Sequence, residues 1–415
     1  MESLLTQFSA FKVEKYVGIE DGADKASFLF SVAILAVCSI IISTKQYVTT
    51  DISCYIPIVV SGSDFEKFIR NYCWVHGTIP FRSNESLPQT KEEWMTAEYT
   101  RKINYYQWVP FVLGLQGVLF YLPRLIWRTI IYNLSGNHLE GLVVSAQKAT
   151  NQVGDNRKET IEQIAKSLED LFLQRRVLGH KKFPVLRQKM SLVCCGRRTG
   201  IFLVSLYFVI KILYLINAIG QILLMQNFLR LGTTKLNVAF GWTILHDIIS
   251  GKQWTENLLF PRTTFCFIGD ISLVAVKNHF VAQCTLPINM LNEKIYIFLW
   301  FWTVGVLILT LISIPLWLWR MTFFSKRQKF VKKFLKIKCS YSKGKHKELM
   351  SHFVERFLRH DGIFILHIIS LNAGDLIAAD VVTELWQIYT KYYVERDFSK
   401  NVISIIDEKT NQSFV

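Results

Sequence analysis

Four apolar stretches, roughly Ala26–Ser43, Trp108–Ile131, Gly200–Leu229 and Ile295–Trp319, can each supply the ~20 residues a helix needs to cross ~30 Å of hydrocarbon. Lipid offers no partner to a bare peptide group, so each stretch has to close its own backbone hydrogen bonds as a helix. Hydrophobic residues make up 51% of the chain and the mean hydropathy is +0.25, which argues against four core helices of a water-soluble globule. The spans divide the chain into a segment 1–25, spans at 26–43, 108–131, 200–229 and 295–319, connecting segments 44–107, 132–199 and 230–294, and a tail 320–415.

Topology follows from the basic residues. Segments 1–25, 124–199 and 320–415 carry 3, 14 and 17 Lys and Arg, whereas 44–107 and 230–294 carry 7 and 6. The positive-inside rule therefore places both termini and the 132–199 segment in the cytoplasm and the other two segments outside. The net charge of +16 is accounted for by this asymmetry and by the anionic inner leaflet, and a nucleic-acid partner is not expected. The first 25 residues lack an apolar stretch ahead of Ala26, so no cleaved signal is expected.

The eight cysteines sort by the same topology. Cys54 and Cys73 lie in the first outer segment and Cys266 and Cys284 in the second, where an oxidising environment allows disulfides. Cys38 falls in the first span, and Cys194, Cys195 and Cys339 fall on the reducing side. Four outer cysteines allow three pairings, and spacing does not choose among them.

In the first outer segment, Ser63 and Glu66 have capping-box spacing, followed by an apolar face of Phe65, Phe68, Ile69 and Tyr72. In the second, Trp242–Ile249 reads as a helix, and Arg262–Ile268 and His279–Leu286 read as short strands around Gly269–Asp270. Asn84-Glu85-Ser86 is an acceptor sequon on the outer side, so Asn84 is a glycosylation candidate.

Within the spans, Pro123 predicts a kink. Lys211 stands near mid-bilayer, where insertion of a lysine costs roughly 2.5–3.5 kcal/mol, so it should face the bundle interior. Met1–Val13 carries Leu4, Leu5, Phe8 and Phe11 on one helical face, suited to the inner leaflet or to a pore mouth. In the cytoplasmic segments, Glu159–Phe172 and stripes around Leu349–Phe357, Ile363–Ala373 and Val381–Val394 predict a helical domain, with a basic lipid-facing run at Lys326–Lys347. There is no Walker loop, HExxH or nucleophile elbow, and the histidines have no metal-ligand spacing. Neither an enzyme nor a cofactor or metal is expected.

The motifs themselves resemble one family. Tyr105-Tyr106-Gln107-Trp108-Val109-Pro110-Phe111 is similar to the innexin signature. Asn71–Thr78, Phe260-Pro261-Arg262, Glu293–Trp302, Asp361-Gly362 and Asn372-Ala373-Gly374-Asp375 are similar to further innexin blocks. The resemblance implies an all-α polytopic membrane protein with four transmembrane helices, disulfide-bridged outer loops with a small β element, and an α-helical cytoplasmic domain. It implies bridges Cys54 with Cys284 and Cys73 with Cys266. It also implies a plasma-membrane gap-junction subunit in an eight-membered ring, alone or with other innexins, that docks to a hemichannel of the next cell and passes ions and small metabolites. Met1, Glu2 and Gln7 would line the cytoplasmic mouth, and Lys45 to Asp51 the outer pore. An undocked hemichannel and a non-conducting four-pass adhesion protein are the alternatives to test.

Overall fold

The computed structural model describes residues 18–48, 52–55, 63–82, 85–135, 138–178, 200–229, 249–250, 260–273, 276–338 and 347–391. Among the described residues, four helices are long and apolar enough to cross a membrane: α1 (Gly22–Val48), α4 (Val109–Ser135), α7 (Phe202–Leu229) and α8 (Pro287–Thr322). α1 and α8 extend past both ends of the apolar stretch expected from sequence, α4 starts one residue later but runs past its far end, and α7 starts two residues later. At 1.5 Å per residue the 36-residue α8 is ~54 Å long, well beyond the hydrocarbon thickness. Pro287 opens it at a position where a missing N–H is harmless. Pro123 and Pro315 lie inside α4 and α8, and both helices run through them.

The chain divides into two compact units. The first, here the sheet unit, comprises Ala23–Leu125 and Ile212–Leu311. Besides parts of the long helices it holds β1 (Ser53–Tyr55), α2 (Ser63–His76), α3 (Lys91–Arg101), β2 (Thr263–Leu273) and β3 (Val276–Thr285). The strands form one antiparallel sheet in the order β1-β3-β2. The expected hairpin is present, but Gly269–Asp270 does not make its turn. The register slips by one residue between Ile268 and Ile271, so these two residues sit in a bulge and both strands run further. Sequence reading missed β1, a three-residue strand too short to show alternation.

Gly77 ends α2 with φ +99°, and a Cβ there would lie 2.8 Å from the Ile103 carbonyl oxygen. Only glycine fits that approach. Along α2, Ile69 and Cys73 are buried and Phe65 and Tyr72 pack against the core, but Phe68 is exposed, contrary to the expected apolar face. The start of α3 carries a capping box in which Thr90 Oγ1 accepts from Glu93 N while Glu93 reaches back. The Ser63 side chain lies outside the described residues.

The second, here the terminal unit, comprises Met1–Gly22, Ile126–Lys211 and Ile312–Val415. It contains α5 (His138–Thr150), α6 (Asp155–Leu178), α9 (Phe324–Ile337), α10 (Lys347–His352, continued by a π-helical turn Phe353–Leu358), α11 (Arg359–Ala373) and α12 (375–391). Ile161, Ile164, Ala165, Leu168 and Phe172 of α6 are buried, as their period predicts, against a core that includes Ala146 and Ala149 of α5 and Ile363 to Ile369 of α11. The expected break at Asp361-Gly362 falls two residues earlier. Arg359 takes φ +55°, and Asp361 and Gly362 already belong to α11. Gly362 is required for packing, because a Cβ there would lie 2.9 Å from the Phe172 ring.

Candidate functional site

The four cysteines of segments 44–107 and 230–294 form two disulfides in the sheet unit. Cys54 of β1 and Cys284 of β3 are register partners and are bonded. Cys73 of α2 is bonded to Cys266 of β2. Both pairings are those that the resemblance implied. The sulfurs of Cys54, Cys73 and Cys284 lie within 4.8 Å of one another, so the bridges are adjacent. With every sulfur in a disulfide, this cluster offers no thiolate to a metal. Cys38 is free and buried; Cys194, Cys195 and Cys339 lie outside the described residues.

Around these bridges the signature at 105–111 makes a joint. Tyr105, Tyr106 and Val109 are buried. The Tyr105 ring meets Phe228 and Phe260 edge-on, and Tyr106 lies 4.8 Å from the Trp74 ring. Burial, reinforced by Tyr296, Tyr106 and Glu293, raises the Tyr105 phenol well above its ordinary pKa, so it stays neutral. Gln107 donates to the Trp74 carbonyl, and its own carbonyl accepts from Gln46. The Pro110 carbonyl accepts from Ser39 Oγ at 3.2 Å. The motif therefore locks α1, α2 and α4 together, and its residues act through packing. Trp108 and Phe111 point outward, 58% and 62% exposed. With Gln46, Tyr47, Trp74, Val75 and Gln107 they line a shallow cleft of about 190 Å³.

Among the pore candidates, Lys45 is half-buried near the end of α1. Met1, Glu2, Gln7, Asp51 and the sequon residue Asn84 lie outside the described residues.

The terminal unit holds a polar cluster that sequence reading only half anticipated. Lys211 is fully buried, and its Nζ lies 2.7 Å from Asp21 Oδ2 and donates to Ser313 Oγ at 2.8 Å. Asp21 Oδ2 also accepts from Ser313 Oγ at 2.6 Å and Trp317 Nε1 at 2.7 Å. A buried charge persists when it is paired and its remaining lone pairs are satisfied, and here both conditions hold. Lys211 faces inward, as its position required; its partner lies 190 residues away in a segment with no local signal.

Two further contacts give the family blocks physical roles. Asp361 Oδ1 accepts from the backbone N–H groups of Leu203 and Val204 at 3.0 and 3.2 Å. It thereby caps the first turn of α7, whose N–H groups lack helical partners. In return, Asp361 N donates to the Gly200 carbonyl at 2.9 Å. Asn372 Nδ2 donates to the Gly18 carbonyl at 2.9 Å. Asp375 accepts from Lys333 Nζ and Ser370 Oγ, which hold its carboxyl below the usual range.

Nearby, His367 stacks on Phe330 at 3.5 Å between ring centroids. Burial, with Arg320 and Lys333, lowers its pKa to about 3, and burial with Arg327 lowers His360 to about 4.

Four membrane-capable helices, a disulfide-braced sheet joining two distant segments, and a helical unit define a multi-pass membrane protein. The innexin family model matches residues 20–389. Curated relatives include innexin unc-9 of Caenorhabditis elegans, 34% identical over 94% of this chain and 97% of that protein. Innexin-5 of C. elegans is 30% identical over 94% and 85%, and innexin-19 of Caenorhabditis briggsae is 32% identical over 90% and 87%. The chain belongs to the innexin family, which forms gap-junction channels.

Proposed function

We propose that eight copies of this chain, alone or mixed with other innexins, encircle a pore that passes ions and small metabolites without enzymatic turnover. Both termini lie in the cytoplasm, and the ring docks through its disulfide-braced sheets to a ring in the adjacent cell. Met1, Glu2 and Gln7 line the cytoplasmic mouth, and Lys45 to Asp51 the outer part of the path. The observation that carries this reading is that each chain supplies only four membrane-capable helices among its described residues, with Lys211 of the third buried against Asp21. Four helices enclose no wide aqueous lumen by themselves, so the lumen arises between copies, by the heterologous side-to-side contacts that close a ring.

Dual whole-cell recording from paired cells, with graded fluorescent tracers, tests it. Junctional conductance and tracer transfer are expected; clustering of cells without conductance would select an adhesion protein. The sequon at Asn84 favours a second reading. A glycan on the docking side would leave the ring as an undocked hemichannel, and tracer uptake by single cells without coupling between pairs would identify it.

A further inference from the structure

A cleft of about 330 Å³ in the terminal unit takes its walls from three helices: Arg157 and Lys158 come from the start of α6, Lys338 from the end of α9, and Asp380 and Glu384 from α12. Its volume falls in the range of small-ligand sites. Asp380 is the fixed point. Its side chain is 12% exposed, and its two oxygens are divided between two cations, Oδ2 taking Arg157 at 2.6 Å and Oδ1 taking Lys338 at 2.5 Å. One carboxylate thus holds a guanidinium and an ammonium from different helices in one wall of the cleft.

Charge decides what such a cleft can take. Three cations line it against two carboxylates, so one positive charge is left over. Neither Lys158 nor Glu384 belongs to an ion pair among the described residues. The surplus continues along α9, whose 14 residues include six basic ones and no acidic one, and charges of one sign on a helix raise the potential at its end, where Lys338 stands. Arg157 gives one nitrogen to Asp380 while its side chain stays 32% exposed. A guanidinium carries five N–H groups in a planar fork, so Arg157 can serve a phosphate as well. Because Asp380 already orders two of the cations, an arriving anion has less side-chain freedom to remove. Glu384, one turn beyond Asp380 on α12, works against any anion in the cleft.

We infer that this cleft binds a compact polyanion with clustered phosphates. Arg157, Lys158 and Lys338 are its donors, Asp380 positions two of them, and Glu384 limits the affinity. The headgroup of a phosphoinositide and a free inositol phosphate offer this same chemistry. The site stands on the terminal unit alone and does not depend on the channel reading.

The test uses the full chain in nanodiscs. In phosphatidylcholine discs, inositol trisphosphate is titrated by calorimetry; in a second set of discs doped with phosphatidylinositol bisphosphate, the thermal transition is compared with that in phosphatidylcholine alone. A shift with the lipid assigns the headgroup as the source, and binding of the soluble probe without that shift assigns a free phosphate ester. Lys158→Gln, at an exposed position, is expected to weaken binding by about ten-fold, and Glu384→Gln to tighten it several-fold. Lys329→Gln, exposed on α9 outside the cleft, is expected to stay within about two-fold of wild type, as an exposed charge screened by salt does. No response to either probe in wild type would overturn the site. So would an unchanged affinity in Glu384→Gln, or a loss in Lys329→Gln equal to that in Lys158→Gln, which would mark diffuse attraction to a basic helix.

Discussion

The two units solve the same problem, holding distant segments together, with different chemistry. In the sheet unit the ties are covalent and aromatic: two disulfides with sequence separations of 230 and 193 residues, and rings such as Trp94 against Phe267 at 6.1 Å. In the terminal unit, where no cysteine occurs among the described residues, the ties are buried polar groups. Asp361 caps a helix 158 residues away, Asp380 takes Arg157 at 2.6 Å and Lys338 at 2.5 Å, and Asp21 gathers three donors. The difference matches the redox divide implied by the proposed topology. Disulfides are retained where thiols oxidise, and on the reducing side the same constraint has to come from satisfied polar contacts.

The largest effect is expected from removing a bridge. Closing loops of nearly two hundred residues restricts the unfolded chain by up to ~5 kcal/mol for each bridge. Cys54→Ser and Cys266→Ser are therefore expected to abolish coupling and to lower the thermal transition of the sheet unit. Wild-type coupling in both variants would show that the bridges are not needed to hold the sheet unit. Mild reductant should reproduce the loss in wild type and leave the terminal unit folded, as read by near-UV dichroism.

Next in size is Asp361→Ala. It strands two N–H groups at the start of α7 and is expected to cost ~2 kcal/mol, measured by thermal unfolding of the purified protein. The effect should appear in the terminal unit alone.

Acid should also separate the two regions. His367 and His360 are held below the ordinary imidazole value of 6.5, at about 3 and about 4. Between these values and ~6.5 the unfolded chain binds protons that the folded chain refuses. Their contribution is thus complete above pH ~6.5 and falls as the solution is acidified. For His367, which faces Arg320, Lys333 and Asp375, the loss near pH 5.5 is about 1 kcal/mol. Unfolding temperatures measured from pH 7.5 to 5 should fall less steeply in His367→Phe.

The smallest effect is expected at Thr90→Ala, which deletes the α3 capping box at an exposed helix start in the sheet unit. A loss of ~0.5–1 kcal/mol should leave coupling unchanged.

Much of the architecture was legible because the bilayer reduces it to a one-dimensional problem. Length and apolarity located α1, α4, α7 and α8, and a 3.6-residue period located the buried stripe of α6. The Thr90 capping box is also written in the sequence, as Thr and Glu three apart, the same spacing as Ser63 and Glu66. Other features left no local trace. The strand β1 is three residues long, and its place in the sheet comes from pairing with β3. The bulge at Gly269–Asp270 has the composition of a turn, and the register of the partner strand decides between the two.

The sequence alone determined which segments enter the membrane, which cysteines share a compartment and which family the motifs resemble, because each of these is written in neighbouring residues or in the total charge of a segment. Tertiary structure decided where Lys211 finds its counter-charge, why Asp361 and Gly362 stand together, and what Asn372 holds. Those answers depend on side chains far apart in the chain meeting in a space too small for water, where an unpaired polar group is too costly to keep and the partner is selected by distance and geometry.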